Sequence, residues 1–291
     1  MYFTFGAAPI LQTAMTLARS EDEASPSGDP DQIRRSFHQY LTNRSSALRG
    51  AYEGGIHTPE VLRNPVLADA LLDEFEVHSP LDDVDYQIRQ DESSDVSDAV
   101  VTAYADRVQS ALGNALEKDP TLGFVVRLAL PIAFVRNSGQ LVGGTVSNVP
   151  GAVWFNVRSS WTDQDIVEFV IHEFTHTLLF LEERRYGFYQ NIENLMQKEN
   201  FALSSIRRDM RPLDKVLHSA MVAVEICGLR DRFGYGEGSS QVHPSTAELR
   251  EGVAETINSC VNVDVNSLLM PRAVEILDGL QGAQAKPAEI A

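Results

Sequence analysis

Cysteine is scarce. The 291-residue chain has two, Cys227 and Cys260, and no C-x-x-C pair. A disulfide framework is therefore excluded, and a reducing, cytoplasmic setting is the expectation. Positive charge is also short, with 24 Lys and Arg against 41 Asp and Glu, for a formal charge of −17. A chain this acidic lacks the general attraction to phosphate backbones that nucleic-acid binders show, and anionic membranes repel it. Long apolar runs are missing as well. The richest, residues 122–135, is broken by Arg127 and Pro131, and falls short of the ~20 residues a spanning helix needs. The apolar first eighteen residues carry no Lys or Arg ahead of Arg19, so they do not read as a signal peptide.

What is there is ordinary globular material, 43% hydrophobic and 22% charged, which argues against a disordered or fibrous chain. Between Asp73 and Asp98 ten carboxylates face Arg89 alone, which reads as a solvated acidic surface. Residues 1–20 are ordered but of uncertain type, and 21–31 read as a linker. Apolar spacing predicts helices over 31–51, 59–75 and 98–117. Residues 124–130 and 132–135 are β-branched and aromatic and read as strand, as does 153–157. The strongest helix follows, opened by Thr162 with Asp165 three residues on and closed before Gly187. Further helices are predicted over 212–233, 245–263 and 271–280. The fold class expected is α+β, mostly α-helical with a small central sheet. Its organisation reads as a mostly helical region 1–120, a catalytic region 121–280 and a flexible tail 281–291.

The chemistry lies in the strongest helix. His172-Glu173-Phe174-Thr175-His176 is H-E-x-x-H. Histidines at i and i+4 project from one helix face about a turn apart, so both imidazoles can bind one cation. The bland reading is two helix histidines with no ligand; the capped amphipathic helix after a strand favours the metal. A catalytic metal wants about three protein ligands. His38, His57 and His78 lie far upstream, and His243 sits in a Gly/Ser/Pro loop. His218 lies inside the next long helix, with Glu225 two turns later and Glu251 and Glu255 on the helix after that. Alone, His218 reads as a satisfied core histidine; beside an H-E-x-x-H it reads as the third ligand. Arg207, Arg208 and Arg211 precede it and are either a solvated face or a clamp for a carboxylate.

The run from His172 to His176, then Arg207-x-Asp209-x-Arg211-Pro212-Leu213, then Leu217-His218, resembles the bacterial HExxH-motif peptide-modification proteins. These are described as α-ketoglutarate-dependent HExxH-type peptide β-hydroxylases. Ser147-x-x-Pro150-Gly151 and the stretch 153–156 are similar to the strand that precedes H-E-x-x-H in that family. The likeness covers roughly residues 143–233. It departs at Ile206, where an aromatic is common, at Met210, where Pro is common, and at Ser219, where Gly is frequent; none is a presumed ligand. The resemblance implies Fe(II) held by His172, His176 and His218, with 2-oxoglutarate and O₂ as co-substrates. It implies a ribosomally made precursor peptide as substrate, with the distal carboxylate of 2-oxoglutarate taken by Arg207 or Arg211. The position of Arg211 at the start of the His218 helix favours Arg211.

Two other readings stay open. In a Zn(II) hydrolase, Glu173 is the general base on a metal-bound water and a carboxylate such as Glu251 is the third ligand. In either enzyme the strand 153–157, taken as an edge, holds an extended peptide by β-addition. A metal-dead peptide binder is the third reading, and the intact H-E-x-x-H argues against it.

Overall fold

The structure is a computed structural model that describes residues 1–19, 29–53, 60–75, 98–136, 142–236 and 240–285. The acidic stretch over 76–97, most of the linker, His57 and His78 lie outside the described residues. The chain divides into two units, one of Ala7–Leu181 and one of Met1–Gly6 with Glu182–Ala291. Secondary structure is mostly helical with a small mixed sheet, the α+β class that the sequence predicts. Among the described residues no helix is long and apolar enough to cross a membrane.

The segment 1–20 resolves into two helices, α1 (Tyr2–Phe5), which belongs to the second unit, and α2 (Ala7–Arg19), which opens the first. Residues 31–51 form two helices, α3 (Pro30–Thr42) and α4 (Ser46–Glu53). The break falls where the Ser45 hydroxyl accepts from the Leu48 N–H at 2.8 Å and starts a new turn. The predicted helix over 59–75 begins instead as a strand, β1 (Glu60–Leu62), before α5 (Pro65–Phe75). Then come α6 (Asp98–Lys118) and α7 (Pro120–Ala129).

The last of these corrects the strand reading of 124–130. Asp119 caps the helix by accepting from Leu122 N–H at 3.0 Å, and Pro120 stands in its first turn. Leu122, Val125, Val126, Leu128 and Ala129 are all buried. A short helix covered on nearly every side has the same apolar run as a buried strand, and the Asp-Pro start decides between them.

β2 (Ile132–Val135), β3 (Gly143–Gly144) and β4 (Ala152–Phe155) complete a sheet of order β1-β2-β4-β3. The first three strands are parallel, and β3 runs antiparallel to β4, with Gly143 opposite Phe155 and Gly144 opposite Trp154. β2 and β4 are buried along their whole length, as parallel strands covered on both faces require. β4 is therefore paired on both sides. The expectation of an edge strand at 153–157 is wrong, because the glycine pair claims the side that a peptide would have used.

α8 (Asp163–Tyr186) follows and crosses from the first unit into the second at Leu181–Glu182. The second unit continues with α9 (Ile192–Leu195), the β5 (Ala202–Leu203) and β6 (Met210–Arg211) hairpin, α10 (Leu213–Phe233), α11 (Thr246–Cys260), α12 (Val265–Leu268) and α13 (Pro271–Ala285). α10 closes on Gly234 at φ 64°, and α11 opens on the reciprocal box of Ser245 and Glu248. α13 runs on through Ala285, five residues into the stretch read as tail.

Candidate metal centre

α8 is fixed first at its ends. The Asp165 carboxylate accepts from the Thr162 N–H at 2.7 Å, and the Thr162 hydroxyl accepts from the Asp165 N–H at 3.2 Å. At the far end Gly187, at φ 66°, returns its N–H to Glu183 O at 2.7 Å. Asp163 and Asp165 in the first turn and Arg184 and Arg185 in the last oppose the helix dipole correctly. A helix held this way presents its side chains in a set register.

His172 and His176 use that register. Their Nε2 atoms stand 3.1 Å apart and their rings 4.8 Å apart at 61°. Two donors each about 2.1 Å from one ion take a separation of this order. Along the same side of α8, the Phe169 ring stacks on His172 at 6.4 Å and the Phe180 ring on His176 at 6.3 Å. His172, His176 and Phe180 are half-buried, while the helix positions between them are buried. The imidazoles thus line the one partly open stripe of this helical stretch, and aromatic rings bracket the pair. On the donor chemistry and the convergence of the two nitrogens, the pair fits a divalent metal.

Glu173, the next residue along the helix, is turned about 100° from His172 and is buried. Its Oε1 lies 3.9 Å from His172 Nε2. Burial pushes its carboxyl up to about 8, against the lowering effect of a hydrogen bond from the Thr145 backbone N–H. Thr145 directly follows β3, and its hydroxyl donates to Ala152 O at 3.0 Å. The close approach depends on Gly143. At φ 139° a Cβ there would stand 2.3 Å from Trp154 O and 2.4 Å from Phe169 Cζ. Thr145, Phe169 and Phe180 were not among the residues read from the sequence. The two phenylalanines are findable, since they stand three before His172 and four after His176.

The other histidines and carboxylates sort clearly. His38 is the satisfied core histidine. Its Nε2 meets Arg127 O and Leu128 O, each at 3.1 Å, and burial lowers it to about 4. Glu255 pairs with the exposed Arg208. Glu225 is occupied by residues 1–4, which removes it as a free ligand. His243 is buried in the loop before α11, and Glu251 is exposed on α11. His218 is buried in α10; burial, then the nearby Lys215 charge, lower it to about 3, so it is held as the neutral imidazole that a metal requires. It belongs to the second unit, the H-E-x-x-H pair to the first. Among the described residues no three His, Cys, Asp or Glu side chains are grouped as a metal site.

No model of a known protein family matches the chain, and no curated protein does.

The arginines stand in the second unit. Arg211 is half-buried and Arg207 exposed. Pro212 is the extended cap of α10 rather than its first helical residue, because its own carbonyl closes the first turn with the Val216 N–H at 3.1 Å. Arg211 consequently lies in β6, opposite Ala202, one step before the cap. Within the same unit Glu183 is raised to about 7, by burial and then by the Asp214 charge. The Tyr189 phenol is raised well above its ordinary value by burial, Asp214 and Glu183.

Proposed function

We propose that the chain is an Fe(II)- and 2-oxoglutarate-dependent oxygenase that hydroxylates a side-chain β-carbon of a ribosomally made precursor peptide. The observation that carries the metal is the convergence of His172 and His176 Nε2 at 3.1 Å. The resemblance supplies the rest of the reading: His218 as third ligand and an arginine for the distal carboxylate of 2-oxoglutarate. When bound, the metal supplies open positions for a bidentate 2-oxo acid and O₂. The chain's own part is to hold two imidazoles in register on a capped helix, and to stiffen them between Phe169 and Phe180. Arg211 is better suited than Arg207 to grip a carboxylate, since it is half-buried where Arg207 is exposed, and water screens a charge less there.

The test is succinate formation by anaerobically iron-loaded protein given 2-oxoglutarate, O₂ and a precursor peptide. Turnover is expected. His218→Ala is expected to lose iron at least 100-fold in affinity, about 2.7 kcal/mol. Arg211→Lys is expected to raise the 2-oxoglutarate requirement about tenfold with iron binding intact. Normal iron binding by His218→Ala removes the third ligand from the proposal. An unchanged 2-oxoglutarate requirement in both Arg207→Lys and Arg211→Lys removes the arginines.

A zinc hydrolase is the second reading, and one observation favours it. Glu173 is a buried carboxyl 3.9 Å from a ligand nitrogen, held by a backbone N–H, which is where a general base for a water beside the pair belongs. Peptide cleavage with zinc and no 2-oxoglutarate, abolished in Glu173→Gln, would replace the oxygenase.

A further inference from the structure

Residues 1–6 belong to the second unit although the chain leaves that unit at Ala7 and returns to it at Glu182. They are held there as a ligand is held. The buried Glu225 carboxylate of α10 accepts from the Phe3 N–H at 3.0 Å, the Thr4 N–H at 2.9 Å and the Thr4 hydroxyl at 2.6 Å, and pairs with the Met1 amino group. One carboxylate gripping two successive backbone N–H groups fixes the main chain of the segment; the hydroxyl adds a side-chain requirement.

The aromatic rings add two more. A Cβ on Gly228 of α10 would stand 2.5 Å from Phe3 Cβ and 2.9 Å from its Cγ. A Cβ on Gly279 of α13 would stand 2.6 Å from Phe5 Cζ and 2.8 Å from its Cε1. Both glycines lie inside helices, where each costs roughly 1 kcal/mol against alanine; the rings account for them. Arg272 lies 5.9 Å from the Phe5 ring centroid and is itself steadied by Glu182 at 2.7 Å and Glu275 at 3.0 Å.

We infer that the second unit carries a peptide-docking groove, built by Glu225, Gly228, Gly279 and Arg272. It is filled by the chain's own first residues and accepts in their place a peptide of the pattern aromatic–Ser/Thr–aromatic. Selection runs through main-chain N–H groups, one hydroxyl and two slots open only where a side chain is missing. The inference stands apart from the metal reading, since no group of the groove is on the H-E-x-x-H helix stripe.

The test uses the full chain carrying Phe3→Ala and Phe5→Ala, which removes the two rings that enter the glycine slots and leaves the groove intact. The probe is the peptide Met-Tyr-Phe-Thr-Phe-Gly with a fluorophore at its C-terminus, followed by anisotropy. Saturable binding to the doubly substituted chain is expected. Binding at least tenfold weaker is expected to wild type, where the resident segment competes, and to the doubly substituted chain with Gly228→Ala added. A probe with valine in place of threonine is expected to lose several-fold. Equal binding with and without Gly228→Ala overturns the groove, as does no binding. If the doubly substituted chain fails to fold, residues 1–6 are an integral part of the core rather than a replaceable ligand, and the inference falls.

Discussion

Glu173 on α8 and Glu225 on α10 are both buried inside long helices, yet their surroundings are opposite. Glu225 takes two backbone N–H groups, a hydroxyl and an amino group. Glu173 takes one backbone N–H, from Thr145, and burial pushes its carboxyl up to about 8. A buried carboxylate saturated with donors is structural, because its charge is fully compensated where it stands. One with a single donor among the described residues, 3.9 Å from the His172 imidazole, is under-compensated, and the shortfall is what a reacting proton or a bound cation would relieve.

The sharpest way to break this comparison is to neutralise each carboxyl in turn. Glu225→Gln is expected to destabilise the metal-free protein by about 3 kcal/mol or more, because it leaves donors facing an uncharged amide in a buried site. Glu173→Gln is expected to cost less than about 1 kcal/mol, since the amide oxygen still accepts from Thr145 and no ion pair is lost. Urea midpoints measure both, and equal losses would end the distinction.

The same contrast extends to histidine. Burial holds His38 at about 4, assisted by the Arg34 charge and opposed by its two carbonyl contacts. Folded His38 stays neutral until about pH 4, while the unfolded chain protonates near 6.5, so stability present above pH 6.5 is lost as pH falls from 6.5 to 4, by roughly 3 kcal/mol. The stability difference between wild type and His38→Gln is expected to shrink by about that amount over this range. A pH-independent difference would place His38 outside the core role assigned to it. A further effect concerns a helix end, the start of α11. Ser245→Ala is expected to cost about 1 kcal/mol, or 2–4 °C, by removing the acceptor of the Glu248 N–H; a larger loss would show that α11 carries more than its cap.

The H-E-x-x-H helix was legible because everything that makes it is local: a Thr-Asp box, apolar spacing and a terminal glycine. Arg211 was nearly legible, displaced by one residue when Pro212 proved to be a cap. The rest depends on partners far along the chain. Nothing in Gly143-Gly144 announces a strand, so β4 read as an edge. Asp119-Pro120 opens a helix, but the apolar run after it suits strand and buried helix equally. Thr145 meets Glu173 only because β3 packs under α8, and Glu225 meets Thr4 across 221 residues of sequence.

That last separation has a consequence for biosynthesis. The unit Ala7–Leu181 is continuous in sequence, so it can condense as soon as it leaves the ribosome. Residues 1–6 are translated ahead of that unit, but Glu225, which anchors them, lies 221 positions beyond Thr4. At ~5–20 residues per second the opening segment waits roughly 11–44 s for its site. During that interval its aromatic residues have no slots to enter, and they stay outside the groove until α10 and α13 are made.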